Sequence, residues 1–122
     1  MIRLVAIVVL LAGCAKKSEE PPPPGPAPMK LSPTEITRGQ DACRVLVERA
    51  CACAQTVAAA KQACADARAL PEAMKMSLSV AASPDSERDD ALRAQTAVRE
   101  TAKECIEQTA KLAALGCPDA PR

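Results

Sequence analysis

The chain has 122 residues and nearly balanced charge, 16 Lys plus Arg against 15 Asp plus Glu, which bounds it to one small domain with appendages. Histidine, Phe, Tyr and Trp do not occur at all. The commonest general base and metal ligand are therefore missing, as are the rings on which nucleic-acid bases stack. The positive charges are also interspersed with negative ones rather than gathered on a basic face, so no nucleic-acid partner is expected. No serine, histidine and aspartate set, phosphate loop or paired glycosidase carboxylates can be found, so the expectation is a non-enzymatic protein without a cofactor.

Residues 1–13 carry one basic residue, Arg3, then an apolar run from Leu4 to Ala12 and small residues before Cys14. A run this short is a secretory leader rather than a membrane-spanning helix. Leu11, Ala12, Gly13 and Cys14 resemble the lipobox of bacterial lipoproteins without a mismatch. That resemblance implies cleavage between Gly13 and Cys14, diacylglycerol on the Cys14 sulfur and acylation, commonly by palmitate, of the new amino terminus. Two or three acyl chains at about 0.8 kcal/mol per buried methylene make a durable anchor. Ala15, where an aspartate would mark inner-membrane retention in that family, implies the outer membrane, at its periplasmic face or the cell surface.

Residues 14–33 hold seven of the chain's 11 prolines, a density that favours extended polyproline II at about 3.1 Å per residue. The segment reads as a semi-rigid stalk of roughly 40 to 60 Å. A proline-rich ligand for a recognition domain is the competing reading.

Residues 34–122 read as an all-α, cysteine-rich domain with no strand pattern. Two helix starts compete, a capping box at Ser32 to Glu35 with Pro33 in the first turn, and Thr37 to Gln40; Gly39 favours the later. From residue 40 to 70 neither Gly nor Pro occurs, and Cys43, Val47, Ala50, Cys53, Val57, Ala60, Cys64 and Ala67 recur with helical period. A short helix is expected to begin at Pro71 and end near Ala82, with Met74 and Met76 as filler. Ser83 and Pro84 then predict the start of the longest helix, with an inward stripe of Ala91, Val98, Cys105 and Leu112 flanked by Ala94, Ala102, Ile106 and Leu115. Its outer face offers the pairs Asp89 to Arg93, Lys103 to Glu107 and Glu107 to Lys111, and Gly116 and Pro118 stop it.

The large apolar side chains in this domain are few, and alanine hides little surface, so covalent staples are expected. An exported chain has an oxidising environment, and lipidation accounts for the odd cysteine. Six remain: Cys43, Cys51, Cys53, Cys64, Cys105 and Cys117, with 15 possible pairings. Four of the six precede residue 65, so full oxidation demands at least one bridge among those four. A straight helix cannot supply it, because Cys51 and Cys53 point roughly 200° apart and the other candidates are mostly more than ~10 Å apart along the axis. A break between Cys51 and Thr56 would make a helical hairpin. A turn near residue 53 would set Cys43 opposite Cys64, and a longer loop would allow Cys53 with Cys64. The remaining cysteines would tie the hairpin to the last helix through Cys105 and to the tail through Cys117.

Competing chemistry for these residues is thinner. Cys-x-Cys at Cys51 and Cys53 could ligate Cu(I) or zinc, yet the closer Cys-x-x-Cys pairs and histidines of zinc sites are missing. The same absence weighs against a catalytic dithiol. The acidic run at residues 83–90 could attract calcium, but it lacks the glycine and spacing of a calcium loop, and carboxylates suit a helix start anyway. The resulting reading is a membrane-tethered, cysteine-rich helical module, resembling the small lipoproteins of Gram-negative bacteria, that meets an envelope protein partner or serves the envelope structurally. The alternatives are a soft-metal or thiol-redox protein, or an inhibitor or immunity factor.

Overall fold

The computed structural model describes residues 30–119. The leader, Gly13, Cys14 and the prolines of the stalk up to Pro28 lie outside the described residues. Three helices follow one another: α1 (Pro33–Cys53), α2 (Ala60–Ala82) and α3 (Arg88–Lys111), with a terminal 3-10 turn over Leu112–Leu115. Each packs on both others, and no strand occurs among the described residues. The chain folds as a small all-α bundle stapled by three disulfides.

Helix α1 begins at the earlier of the two candidate starts. The Ser32 backbone N–H donates to Glu35 Oε2 at 2.8 Å, and the Glu35 N–H donates to Ser32 Oγ at 3.2 Å, a complete capping box with Pro33 in the first turn. Gly39 does not delay the helix. It lies inside α1, where a Cβ would meet Ala102 Cβ at 3.1 Å and Met74 Cε at 3.2 Å. Glycine is there because α2 and α3 both press against the α1 backbone at that point.

Helix α1 ends at Cys53 without help from Gly or Pro. The Val57 and Thr56 N–H groups both donate to Cys53 O, at 2.8 and 3.0 Å, and Ala60 N–H donates to Val57 O at 3.0 Å, so tight turns carry the chain into α2. No residue in this turn has a positive φ. The break therefore sits where bridge counting placed it, and the intervening residues are ordinary helix formers.

Pro71 does not start a helix. It sits inside α2, which runs unbroken for 23 residues. A proline here removes one backbone hydrogen bond and crowds the Ala67 carbonyl. Ala67 at 0% and Met74 at 1% exposure, one heptad apart on the buried face, fix the helix on both sides of it. Met76 points outward at 65% exposure.

Ser83 and Pro84 do not open α3 either. The Ser86 hydroxyl donates to Val80 O at 2.8 Å and the Asp85 N–H donates to Ser83 Oγ at 3.3 Å, so this stretch closes α2 and turns the chain. The third helix starts at Arg88, with Asp89 and Asp90 in its first turn, where the helix dipole favours anions. At the other end Gly116, at φ 90°, accepts the left-handed conformation that terminates the 3-10 turn.

The buried residues share a seven-residue register. Gly39, Leu46 and Cys53 line α1 with Cys43 and Ala50 between them; Ala60, Ala67 and Met74 line α2; Val98 and Cys105 line α3, and Leu112 continues their register at the start of the 3-10 turn. Such spacing keeps an apolar seam facing neighbouring helices. Ala91, expected on the α3 stripe, is half-buried. Ile106 and Leu115, expected inside, are 61% and 36% exposed. On α1, Leu46 rather than Val47 occupies the centre, and Val47 is half-buried.

Candidate functional site

The bridges define how this bundle is held. Cys43 joins Cys105 with Cα atoms 4.9 Å apart, Cys51 joins Cys64 at 4.6 Å, and Cys53 joins Cys117 at 5.5 Å. Each separation lies in the range a disulfide spans. The Cys51–Cys64 bridge ties α1 to α2 across the hairpin. Cys43–Cys105 fastens the middle of α1 to α3, and Cys53–Cys117 fastens the end of α1 to the tail. Cys51 and Cys53 leave the helix in different directions, one toward each partner, as their two-residue spacing requires.

Neither expected pairing for Cys64 occurs. The connection at residues 54–59 is wider than a turn near residue 53, which shifts the hairpin register so that Cys51 faces Cys64. Cys43, eight residues earlier, sits about 12 Å farther along α1 at 1.5 Å per residue and faces α3 instead. Cys53 is buried at 5% exposure on the inward face and meets the tail. Burial also separates the bridges: Cys43 and Cys105 are fully enclosed, whereas Cys51 and Cys64 are half-buried.

With six sulfurs joined in pairs, a soft metal or a dithiol reaction would first require a bridge to be reduced. Among the described residues no three Cys, Asp or Glu side chains converge as a metal site would need. The acidic run at residues 83–90 is occupied by turn and helix-start contacts, and Arg93 pairs with Asp90 at 3.9 Å rather than with the expected Asp89. The Lys103 to Glu107 pair forms at 3.6 Å.

Several concavities lie between the helices. The first, about 430 Å³, runs along the α1–α3 face from Leu31 past Gly39 and Ala102 to Ile106. Its rim is crossed by an ion pair in which Arg99 Nε donates to Glu35 Oε1 at 3.3 Å. The second, about 550 Å³, lies between α2 and the end of α3 near Ala63, Gln108 and Leu115. The third, about 250 Å³, sits where the chain enters the domain, between Leu31, Ile36, Leu78, Ala81 and Gln95. Gln95 is 8% exposed, and its Oε1 has no hydrogen-bond partner. Sequence reasoning missed Gln95, although its place four residues after Ala91 and three before Val98 puts it beside the inward stripe.

These features define a class: a three-helix bundle whose thin, alanine-rich core is crosslinked to itself at three levels, with surface concavities and no assembled catalytic set among the described residues. The chain matches no family model, no curated protein and no solved structure. No described helix is long and apolar enough to cross a membrane.

Proposed function

We propose that this protein is a lipid-anchored module of the bacterial envelope, held off the membrane by its proline-rich stalk, which acts by binding a partner protein rather than by catalysis. The observation that carries the reading is the tetrapeptide Leu11, Ala12, Gly13, Cys14 at the end of an apolar leader. The three bridges support it, since disulfides persist in exported proteins and are rare where thiols are kept reduced. In this reading the acyl chains on Cys14 supply the membrane affinity and the outer membrane is the destination. The stalk sets the distance, and the covalently held bundle offers surfaces that do not depend on a large core.

Fractionation of cells making the full chain tests the proposal. The protein is expected in the outer-membrane fraction and labelled by a palmitate analogue, and Cys14→Ser should abolish both the label and processing. A full-length, unlabelled protein in the soluble cytoplasmic fraction would refute it.

A further inference from the structure

We propose that the Cys51–Cys64 bridge is a redox latch on α2: a dithiol reductant opens it ahead of the other two bridges, and α2 then loosens from an α1–α3 pair that stays crosslinked. The connectivity is the first sign. Cys43–Cys105 and Cys53–Cys117 both tie α1 to α3 or to the tail that follows it, and Cys64 is the one cysteine in α2. Breaking Cys51–Cys64 therefore leaves α2 attached only through its two chain connections, residues 54–59 and 83–87. Breaking either of the others leaves every helix with a bridge.

Access is the second sign. Cys43 and Cys105 are 0% exposed, and Cys53 and Cys117 are 5% and 7%, whereas Cys51 and Cys64 are half-buried. Exchange requires a thiolate to reach a bridge sulfur, so the accessible bridge reacts first. Alanine flanks Cys51 at 50 and 52 and Cys64 at 63 and 65, so no long side chain adjacent in sequence screens either sulfur. Lys61 and Arg68, a turn to either side of Cys64, offer positive charge to an attacking thiolate, while Glu48, a turn before Cys51, is paired with Arg44 at 3.0 Å.

The hold on α2 is the third. It buries only Ala60, Ala67 and Met74, with Leu70 and Leu78 half-buried. Its start has neither a side-chain cap nor an acidic residue in the first turn, unlike α1, and Pro71 removes a hydrogen bond from its middle. Elements with few buried apolar contacts open at the lowest free energy. Opening would uncover the face of α1 at Gly39, against which Met74 packs.

The exchange balances with the dithiol alone. Its first thiolate attacks one bridge sulfur, the S–S bond breaks, and the other cysteine leaves as a thiolate. Its second thiolate then attacks its own partner sulfur in the mixed disulfide, closing the reductant's disulfide and releasing the second cysteine. Two electrons and the reductant's two protons pass to Cys51 and Cys64. In an oxidising compartment the latch stays closed until such a reductant reaches it.

The full, oxidised chain in dodecyl maltoside, treated with one equivalent of dithiothreitol and quenched with iodoacetamide, tests the first half. Peptide mass spectrometry should find Cys51 and Cys64 alkylated about tenfold faster than the other four cysteines. Equal rates, or earlier labelling at another bridge, would overturn the proposal. Amide hydrogen exchange of the selectively reduced chain, and of the double variant Cys51→Ala with Cys64→Ala, tests the second. Exchange over residues 60–82 should rise about tenfold or more, with less than about threefold change in α1 and α3. Unchanged exchange in α2, an equal rise in all three helices, or a double variant without helical circular dichroism would each show that α2 is not released by itself and overturn the latch.

Discussion

Gly39 shows how one residue sets the spacing of the bundle. Its missing side chain lets α1 lie against Ala102 of α3 and Met74 of α2. Gly39→Leu should destabilise the protein by about 2 kcal/mol through overpacking, read as a lower denaturant midpoint. Gly39→Ala should change stability much less, because a gain in helix propensity of about 1 kcal/mol offsets a tight but small contact. An unchanged midpoint in Gly39→Leu would contradict the packing described. Glu35 carries a second local effect. The Ser32 backbone N–H, then the Ser32 side chain and Arg99, hold its carboxyl below the ordinary glutamate value of 4.5. A depressed folded value means that its contribution is complete above pH 4.5 and lost as pH falls through the lower folded value. Carbon-13 titration of the Glu35 carboxyl should therefore give a midpoint below 4.5, and a midpoint at or above it would contradict the capping geometry.

At the scale of elements, Pro71 is the strongest conflict between local preference and the fold. In an isolated helix a mid-helix proline costs about 3 kcal/mol, yet α2 continues through it because Ala67 and Met74 bury the same face on both sides. Pro71→Ala should therefore raise stability by about 1–2 kcal/mol, the helix penalty less the entropy that proline removes from the unfolded chain, and a lower melting temperature would contradict this. Proline, serine and glycine misled the sequence reading at Pro71, Ser83 and Gly39, where packing or a turn outweighed propensity. Cysteine counting succeeded where propensity was silent. No breaker marks residues 54–59, yet four cysteines before residue 65 could not all be satisfied on a straight rod. The seven-residue stripe through Val98, Cys105 and Leu112 was legible for the same reason: it reports burial directly. Which cysteine meets which was not legible, because pairing depends on the width of a turn that no local signal sets. Gln95 was hidden by its polarity, which reads as surface until its neighbours in space are known.

At the scale of the whole molecule, the core explains the sulfur. Its fully buried members are led by Leu46, Met74, Leu112 and Val98, with the rest largely Ala and Cys and no aromatic side chain. The bridges span 62, 13 and 64 residues, and restricting the unfolded chain with loops of these lengths is worth about 3–4 kcal/mol each. That is comparable to the entire stability of many small domains, so reduction should abolish cooperative unfolding rather than merely lower its midpoint. The crosslinked domain and the proposed lipid anchor both leave marks in a single intact mass. Protein extracted from membranes and treated with an alkylating reagent should have a mass corresponding to a chain that starts at Cys14, with diacylglycerol and an amide-linked acyl group. It should gain no alkyl groups before reduction and six after it, whereas a chain still starting at Met1, or one alkylated without reductant, would contradict the account.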